Sequence, residues 1–300
     1  MRVFHVLVLS GVLAWCARAP ARAGDASAAF APYEDLLEVV ADLTWHLRDD
    51  VYRFPPPKDP TGHDLYHLTL DRLTNWETRY PGRFHDVTSY ARAQALERLG
   101  SYAEAQRLYT QVGGHVSDLG ALAHVGAGRA SDLAGAAALP EDAADLETQL
   151  HTVRKKLDAW QQLIWRYEGT PYQALALVEE ERLERQAAAL LVAHRTLLAD
   201  GNATAERALL FLIEKHAESK NLADHIVRLG DLYAAMAHDY VDAHPQPLAF
   251  SEDEFVRLAD RALDVYRKVA TWDGAREKPE AQGRFSALDA FKDATLARYR

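Results

Sequence analysis

Residues 90–109 run YARAQALERLGSYAEAQRLY, and the organisation of the whole chain can be built outward from them. Gly100 is a helix stop. Ser101 with Glu104 forms a capping box, in which a hydroxyl and an acid three residues on satisfy each other's orphan backbone donors. Two helices joined by a short turn follow. Ala93 and Ala105 place small side chains where such helices must touch, and Leu96, Tyr102 and Tyr109 supply the bulk around them.

The same punctuation extends in both directions. Further capping boxes pair Thr61 with Asp64, Thr170 with Gln173 (Pro171 at the first helical position) and Ser251 with Glu254. Stops stand at Pro81-Gly82, Gly113-Gly114, Gly169, Gly201 and Gly274. Between them the apolar residues keep helical spacing, as in Leu36, Val40, Leu43 and Leu47, or Leu258, Leu263, Val265 and Val269. The spacing predicts about eleven helices, at 31–49, 62–79, 86–98, 102–112, 116–137, 141–167, 171–199, 203–218, 222–243, 252–271 and 279–298. Short connections imply antiparallel hairpins stacked in order.

Composition agrees with an all-α chain. Of 300 residues, 52 are alanine and 40 leucine, against 22 valines and isoleucines together, so strand formers are scarce and an all-β fold is excluded. A formal charge of −10 argues against a phosphate-backbone partner, so no nucleic acid is expected. One cysteine excludes a disulfide framework and a four-thiolate zinc site. Nothing in the pattern calls for a cofactor.

Residues 1–23 read as a secretory signal peptide: Arg2, an apolar run over 3–16, and Ala21-Arg22-Ala23 as a small-x-small cleavage site after Ala23. The run is too short to cross a bilayer, for which about 20 apolar residues are needed. Trp15 before Cys16 fits a lipoprotein cleavage site poorly and argues against lipidation there. Removal of the leader takes three arginines with it, leaving 31 basic and 44 acidic residues, or −13. The expected address is the periplasm or cell envelope. Residues 24–60 hold the first helix and a proline-rich spacer, Arg53 to Pro60 (RFPPPKDP), expected to be extended and semi-rigid. Residues 61–300 form the remaining helical domain.

Residues 86–113 resemble a tetratricopeptide repeat (TPR), with Ala93, Leu96, Gly100, Tyr102, Ala105 and Tyr109 in the motif's places. Ser89 and Arg92 depart from it where large apolar residues are expected. A second, longer unit spans 222–272: Ile226, Leu229, Gly230 and Tyr233 match the first helix, Ala262 and Tyr266 the second. Arg79-Tyr80-Pro81-Gly82 and residues 211–216 are similar to repeat ends in exported bacterial cell-envelope proteins of this family. The resemblance implies a helical-hairpin solenoid with a concave groove, capped by the charged helix 279–298. It also implies a non-catalytic scaffold or adaptor that holds a protein or peptide. In such repeats the first helices line the groove, which would place Tyr90, Gln94, Glu97, Arg98, Asp224 and Asp231 on the binding surface.

Other residues carry candidate chemistry. His63 and His67 lie one turn apart on a helix, a spacing that chelates zinc, with His85 as the nearest further ligand; a metal-binding or hydrolytic enzyme using the pair is one alternative function. A solenoid that binds a small ligand in a closed apolar cavity is another. Glu179-Glu180-Glu181-Arg182-Leu183-Glu184-Arg185 reads as a solvated helix face carrying an i, i+4 pair between Glu181 and Arg185. Asn202-Ala203-Thr204 is a glycosylation sequon better explained as a helix cap. Gly126-Ala127-Gly128 lacks the third glycine and the preceding strand of a dinucleotide site, and the glycine-rich helix that holds it must be either closely packed or locally weak.

Overall fold

The structure, a computed structural model, describes residues 32–55 and 58–299. The signal peptide, its cleavage after Ala23 and the question of Cys16 lie outside the described residues. Among those residues there are eleven α-helices and no strand: α1 (Pro32–His46), α2 (His63–Arg79), α3 (His85–Arg98), α4 (Tyr102–Gly113), α5 (Asp118–Ala137), α6 (Leu146–Arg166), α7 (Gln173–Ala193), α8 (Gly201–Lys215), α9 (Leu222–Ala243), α10 (Glu252–Ala270) and α11 (Lys278–Tyr299). No helix among them is long and apolar enough to cross a membrane.

Amphipathic spacing generates these helices. In α10 the buried set is Phe255, Leu258, Ala259, Ala262, Leu263, Val265, Tyr266 and Val269, which form rows such as 255, 258, 262, 265 and 269 with steps of three and four, while the opposite face carries charge. Its start is the expected cap, with the Ser251 hydroxyl accepting from Glu254 N at 3.4 Å. Other starts are made differently. Asp59, not Thr61, gathers the entry to α2, accepting from Thr61 N, Thr61 Oγ1 and Asp64 N at 2.9, 2.6 and 2.9 Å. Burial alone would raise the Asp59 carboxyl, but these bonds pull it down to about 2. The Thr170 hydroxyl turns back to Tyr167 O, and the Ser101 side chain makes no capping bond. Asn202 lies within α8, whose N-cap is Asp200 at φ 53°, so the sequon is not the cap. A short polar side chain has several nearby backbone groups to choose from, and spacing does not say which one wins.

Packing runs mainly between sequence neighbours, with additional contacts between α1 and α3 and between α3 and α5. Ala93, Ala105 and Ala262 are fully buried at helix contacts, and the small residues sit against aromatic rings. A Cβ added to Gly230 would stand 2.5 Å from the Tyr266 ring, and one added to Gly126 would stand 2.9 Å from the Tyr109 ring. The glycine-rich helix is thus closely packed at Gly126, while Gly128 faces open space. At the C-terminal end the charges of α11 are spent on its neighbours: Arg284 pairs with Asp231, and Lys292 with Asp260.

The proline-rich connection is not a free spacer. The Tyr52 hydroxyl lies 2.9 Å from His216 Nδ1, Lys220 N donates to Tyr52 O at 3.2 Å, Arg53 pairs with Glu218 at 2.9 Å, and Lys220 Nζ donates to Pro60 O at 2.9 Å. Tyr52, Arg53 and Pro60 therefore tie the connection between α1 and α2, here called the strap, to the α8–α9 turn.

Candidate functional site

The densest polar cluster lies where α7, the α8–α9 turn and the strap meet. Helix α7 is apolar on several sides, burying Ala174, Leu175, Ala176, Leu183 and Ala188, so its neighbours enclose it and its acids are carried inside. Glu180, Glu181 and Glu184 are all buried. The expected solvated acidic face is overturned at these three positions. The reason lies in residues 215–225, which bring complementary groups from the end of α8 and the start of α9.

Each buried acid is paired. Glu181 Oε1 receives both His225 Nε2 and Ser219 Oγ at 2.6 Å, and its Oε2 receives Asn221 Nδ2 at 3.3 Å. Glu184 Oε2 lies 2.6 Å from His216 Nε2, and Lys215 Nζ donates to Glu184 at 2.5 Å and Glu180 at 2.6 Å. Gln161 supplies a further donor to Glu180 at 3.0 Å. Arg185 pairs with Asp224 at 3.8 Å and not with Glu181. Burial pushes the Glu181 and Glu184 carboxyls up, but hydrogen bonds from His225 and Ser219, and from His216 and Lys215, outweigh it and hold both below the ordinary carboxylate value. Burial works against the Lys215 ammonium, and Glu180 and Glu184 raise it all the same.

The chemistry available here is limited by who bonds to whom. A serine nucleophile needs its hydroxyl on an imidazole that can take the proton. Ser219 instead donates to the Glu181 carboxylate, and both histidines are likewise held by acids. The arrangement cross-links α7 to the α8–α9 turn and, through Tyr52, to the strap.

A second buried polar group lies at the end of α3. Glu97 accepts from Arg129 Nε at 2.5 Å, Arg129 Nη2 at 2.8 Å and Tyr109 OH at 3.0 Å, and the Arg129 guanidinium stacks 3.5 Å over the Tyr172 ring. Burial works against the Arg129 charge, but Glu97 holds it firmly ionised. Two hollows open beside the strap. One of about 580 Å³ is lined by Pro55, Lys58, Lys220, Trp272, Arg276 and Glu277 among others. The other, about 150 Å³, is bounded by His63, Tyr66, Arg98, Tyr102, Glu179 and Lys220 among others.

The residues expected on a binding groove divide. Glu97 and Arg98 are buried inside the helix stack, so they are not presented on an open surface. Tyr90 is half-buried with its ring 5.5 Å from that of Tyr109, and Gln94 is half-buried. Asp224 is bonded to Arg228 at 2.8 Å, and Asp231 to Tyr266 OH at 2.7 Å and to Arg284. These four belong to two separate hairpins and do not form one cluster. His63 and His67 are exposed, and among the described residues no group of three or more His, Cys, Asp or Glu side chains could hold a metal. His85 is engaged with Gln111 at 3.1 Å. Sequence reasoning passed over His216, His225 and Tyr52. One available signal was the apolar character of α7 on several sides, which implies that some of the acids it carries are enclosed. No protein-family model matches the chain, and no curated protein matches it.

Proposed function

We propose that this chain is an exported, non-catalytic helical scaffold of the tetratricopeptide type that binds a protein or peptide partner. The observation that carries the reading is the packing order. Each helix rests on its sequence neighbour, with further contacts between α1 and α3 and between α3 and α5, as expected of hairpins that cannot bury their apolar stripes alone and share a core by stacking. Gly230 against Tyr266 supports the repeat register, because the two positions chosen for a small and a large residue meet. The pairing of the buried acids with His216, His225, Lys215 and Ser219 supports a structural use of those groups.

With Glu97 and Arg98 inside, the proposed contact set contracts to Tyr90, Gln94, Asp224 and Asp231. The test is crosslinking in the native cells, identification of the captured protein, and reconstitution with purified components. Gln94→Ala together with Asp224→Ala should weaken the reconstituted complex while leaving the melting temperature within about 2 °C, as surface changes do. A captured protein that fails to bind the purified chain refutes the scaffold reading; equal binding by wild type and variant refutes the contact set. Export is tested separately, by fractionation and by sequencing the N-terminus of the mature protein, which should begin at Gly24.

A further inference from the structure

We propose that the 150 Å³ hollow beside Arg98 is a binding site for a small phosphate-class oxyanion. Arg98 ends α3 and is 4% exposed. Its Nη2 donates to Leu47 O, while Nε and Nη1 are buried and meet no acceptor. Among the described residues no carboxylate comes within ion-pair distance of it, since the adjacent Glu97 is committed to Arg129. The nearest aromatic face, Tyr172, is 5.7 Å from the guanidinium carbon. Those two nitrogens have almost no accessible surface, so an anion in the adjoining space would act on the guanidinium as a countercharge and not as a hydrogen-bond acceptor. A buried cation without a countercharge is costly, and such an anion offsets that cost.

The rest of the lining points the same way. Lys220 gives one hydrogen bond to Pro60 O and retains two further donors, and burial lowers its ammonium below the usual lysine value. The Tyr102 hydroxyl has no hydrogen-bond partner among the described residues, and His63 adds an imidazole at the start of α2. The one acid of the lining, Glu179, is bonded to Arg182 at 2.9 Å. Two cations and a phenol thus border a small space whose single carboxylate is already neutralised. Arg98 and Tyr102 come from one hairpin, α3 and α4, and Lys220 from the α8–α9 turn, so two separate parts of the chain border the space and an ion with several acceptor oxygens can bridge them. The volume holds one such ion with a few waters, at about 30 Å³ for each water. This site is independent of the partner proposed above, because its lining includes none of Tyr90, Gln94, Asp224 and Asp231.

The experiment is titration calorimetry and thermal melting of the purified full chain in phosphate-free buffer, with sodium phosphate, glycerol phosphate and sodium acetate compared at equal ionic strength. Phosphate should bind saturably at one site and raise the melting temperature with concentration. Lys220→Met should weaken binding about tenfold and Tyr102→Phe by a smaller factor, both with folded circular dichroism spectra. Arg98→Met should abolish binding if it folds, and the other two variants decide if it does not. Preference for glycerol phosphate assigns the site to a phosphate ester, and preference for the inorganic ion assigns it to the free anion. No saturable heat up to about 10 mM phosphate, unchanged affinity in both variants, or tighter binding of acetate than of phosphate would overturn the proposal.

Discussion

Gly230→Ala puts the helix packing to a test in which local and tertiary effects have opposite signs. Glycine to alanine inside a helix is favourable by about 1 kcal/mol when nothing is in the way. Here the new Cβ would stand 2.5 Å from Tyr266 Cε1 and 2.8 Å from Cδ1. That ring is 2% exposed and its hydroxyl is anchored on Asp231 at 2.7 Å, so it cannot swing into solvent. Overpacking of this kind costs about 1–3 kcal/mol, and disturbing the Tyr266 hydrogen bond about 1 more. The clash outweighs the propensity gain, and the net expectation is destabilisation by about 1–3 kcal/mol, seen as a fall of several degrees in melting temperature. Gly128→Ala is the control: its Cβ meets nothing within 4 Å, so it should stabilise by about 0.5–1 kcal/mol. Urea unfolding followed by circular dichroism measures both. Gly230→Ala combined with Tyr266→Leu should recover part of the loss beyond additivity, since the two sites touch. If Gly230→Ala alone is as stable as wild type, the proposed close contact between α9 and α10 is wrong.

The polar interior sets four further outcomes. Glu181→Ala strands His225 and Ser219 without an acceptor and should cost about 3–5 kcal/mol in urea unfolding, whereas Asp264→Ala at an exposed pair should change stability by about 0.5 kcal/mol or less. Acid should destabilise the fold through Glu141, Glu181 and Glu184, whose folded values lie below their ordinary ones. Arg182, opposed by burial and helped by Lys156, holds Glu141 down to about 2. The folded state then binds fewer protons than the unfolded chain, so this stabilisation is complete above about pH 5 and is lost as pH falls towards about 2, measured as a falling urea midpoint. Lys215 has the reverse sign. Its folded value is raised, so its contribution is present below the ordinary lysine value and disappears as pH rises through the folded one. Tyr52→Phe removes the hydroxyl at His216 Nδ1 and should cost about 1 kcal/mol, with faster proteolytic cleavage in the strap; unchanged cleavage would mean that the other contacts, Arg53 with Glu218 and Lys220 with Tyr52 O and Pro60 O, hold the strap by themselves.

The legible part of this protein was periodic. Helix spans came through to within a few residues, because an apolar stripe every three or four positions and a glycine or proline at each break are local signals. Gly230 and Tyr266, a small and a large residue each expected at a helix contact, do meet in the structure. Caps were less legible, since Asp59 competes with Thr61 for the same donors. The acidic run of α7 is illegible for a different reason. Glu180, Glu181 and Glu184 look like any solvated helix face until residues 215–225 are brought beside them.

Sequence alone thus settled the helical class, the order of the helices and most of their bounds, because propensity, capping and apolar spacing act over a few residues. The tertiary structure alone decided which charges are interior. Whether a carboxylate is solvated or buried depends on partners 30 to 45 positions away, as with His216 and His225, or more than 160, as with Tyr52 and His216, and no local pattern encodes that distance. The same holds for Arg98: its sequence position suggests an exposed groove residue, and only the packing of α2, α3, α7 and the strap encloses it and leaves two of its donors unmet.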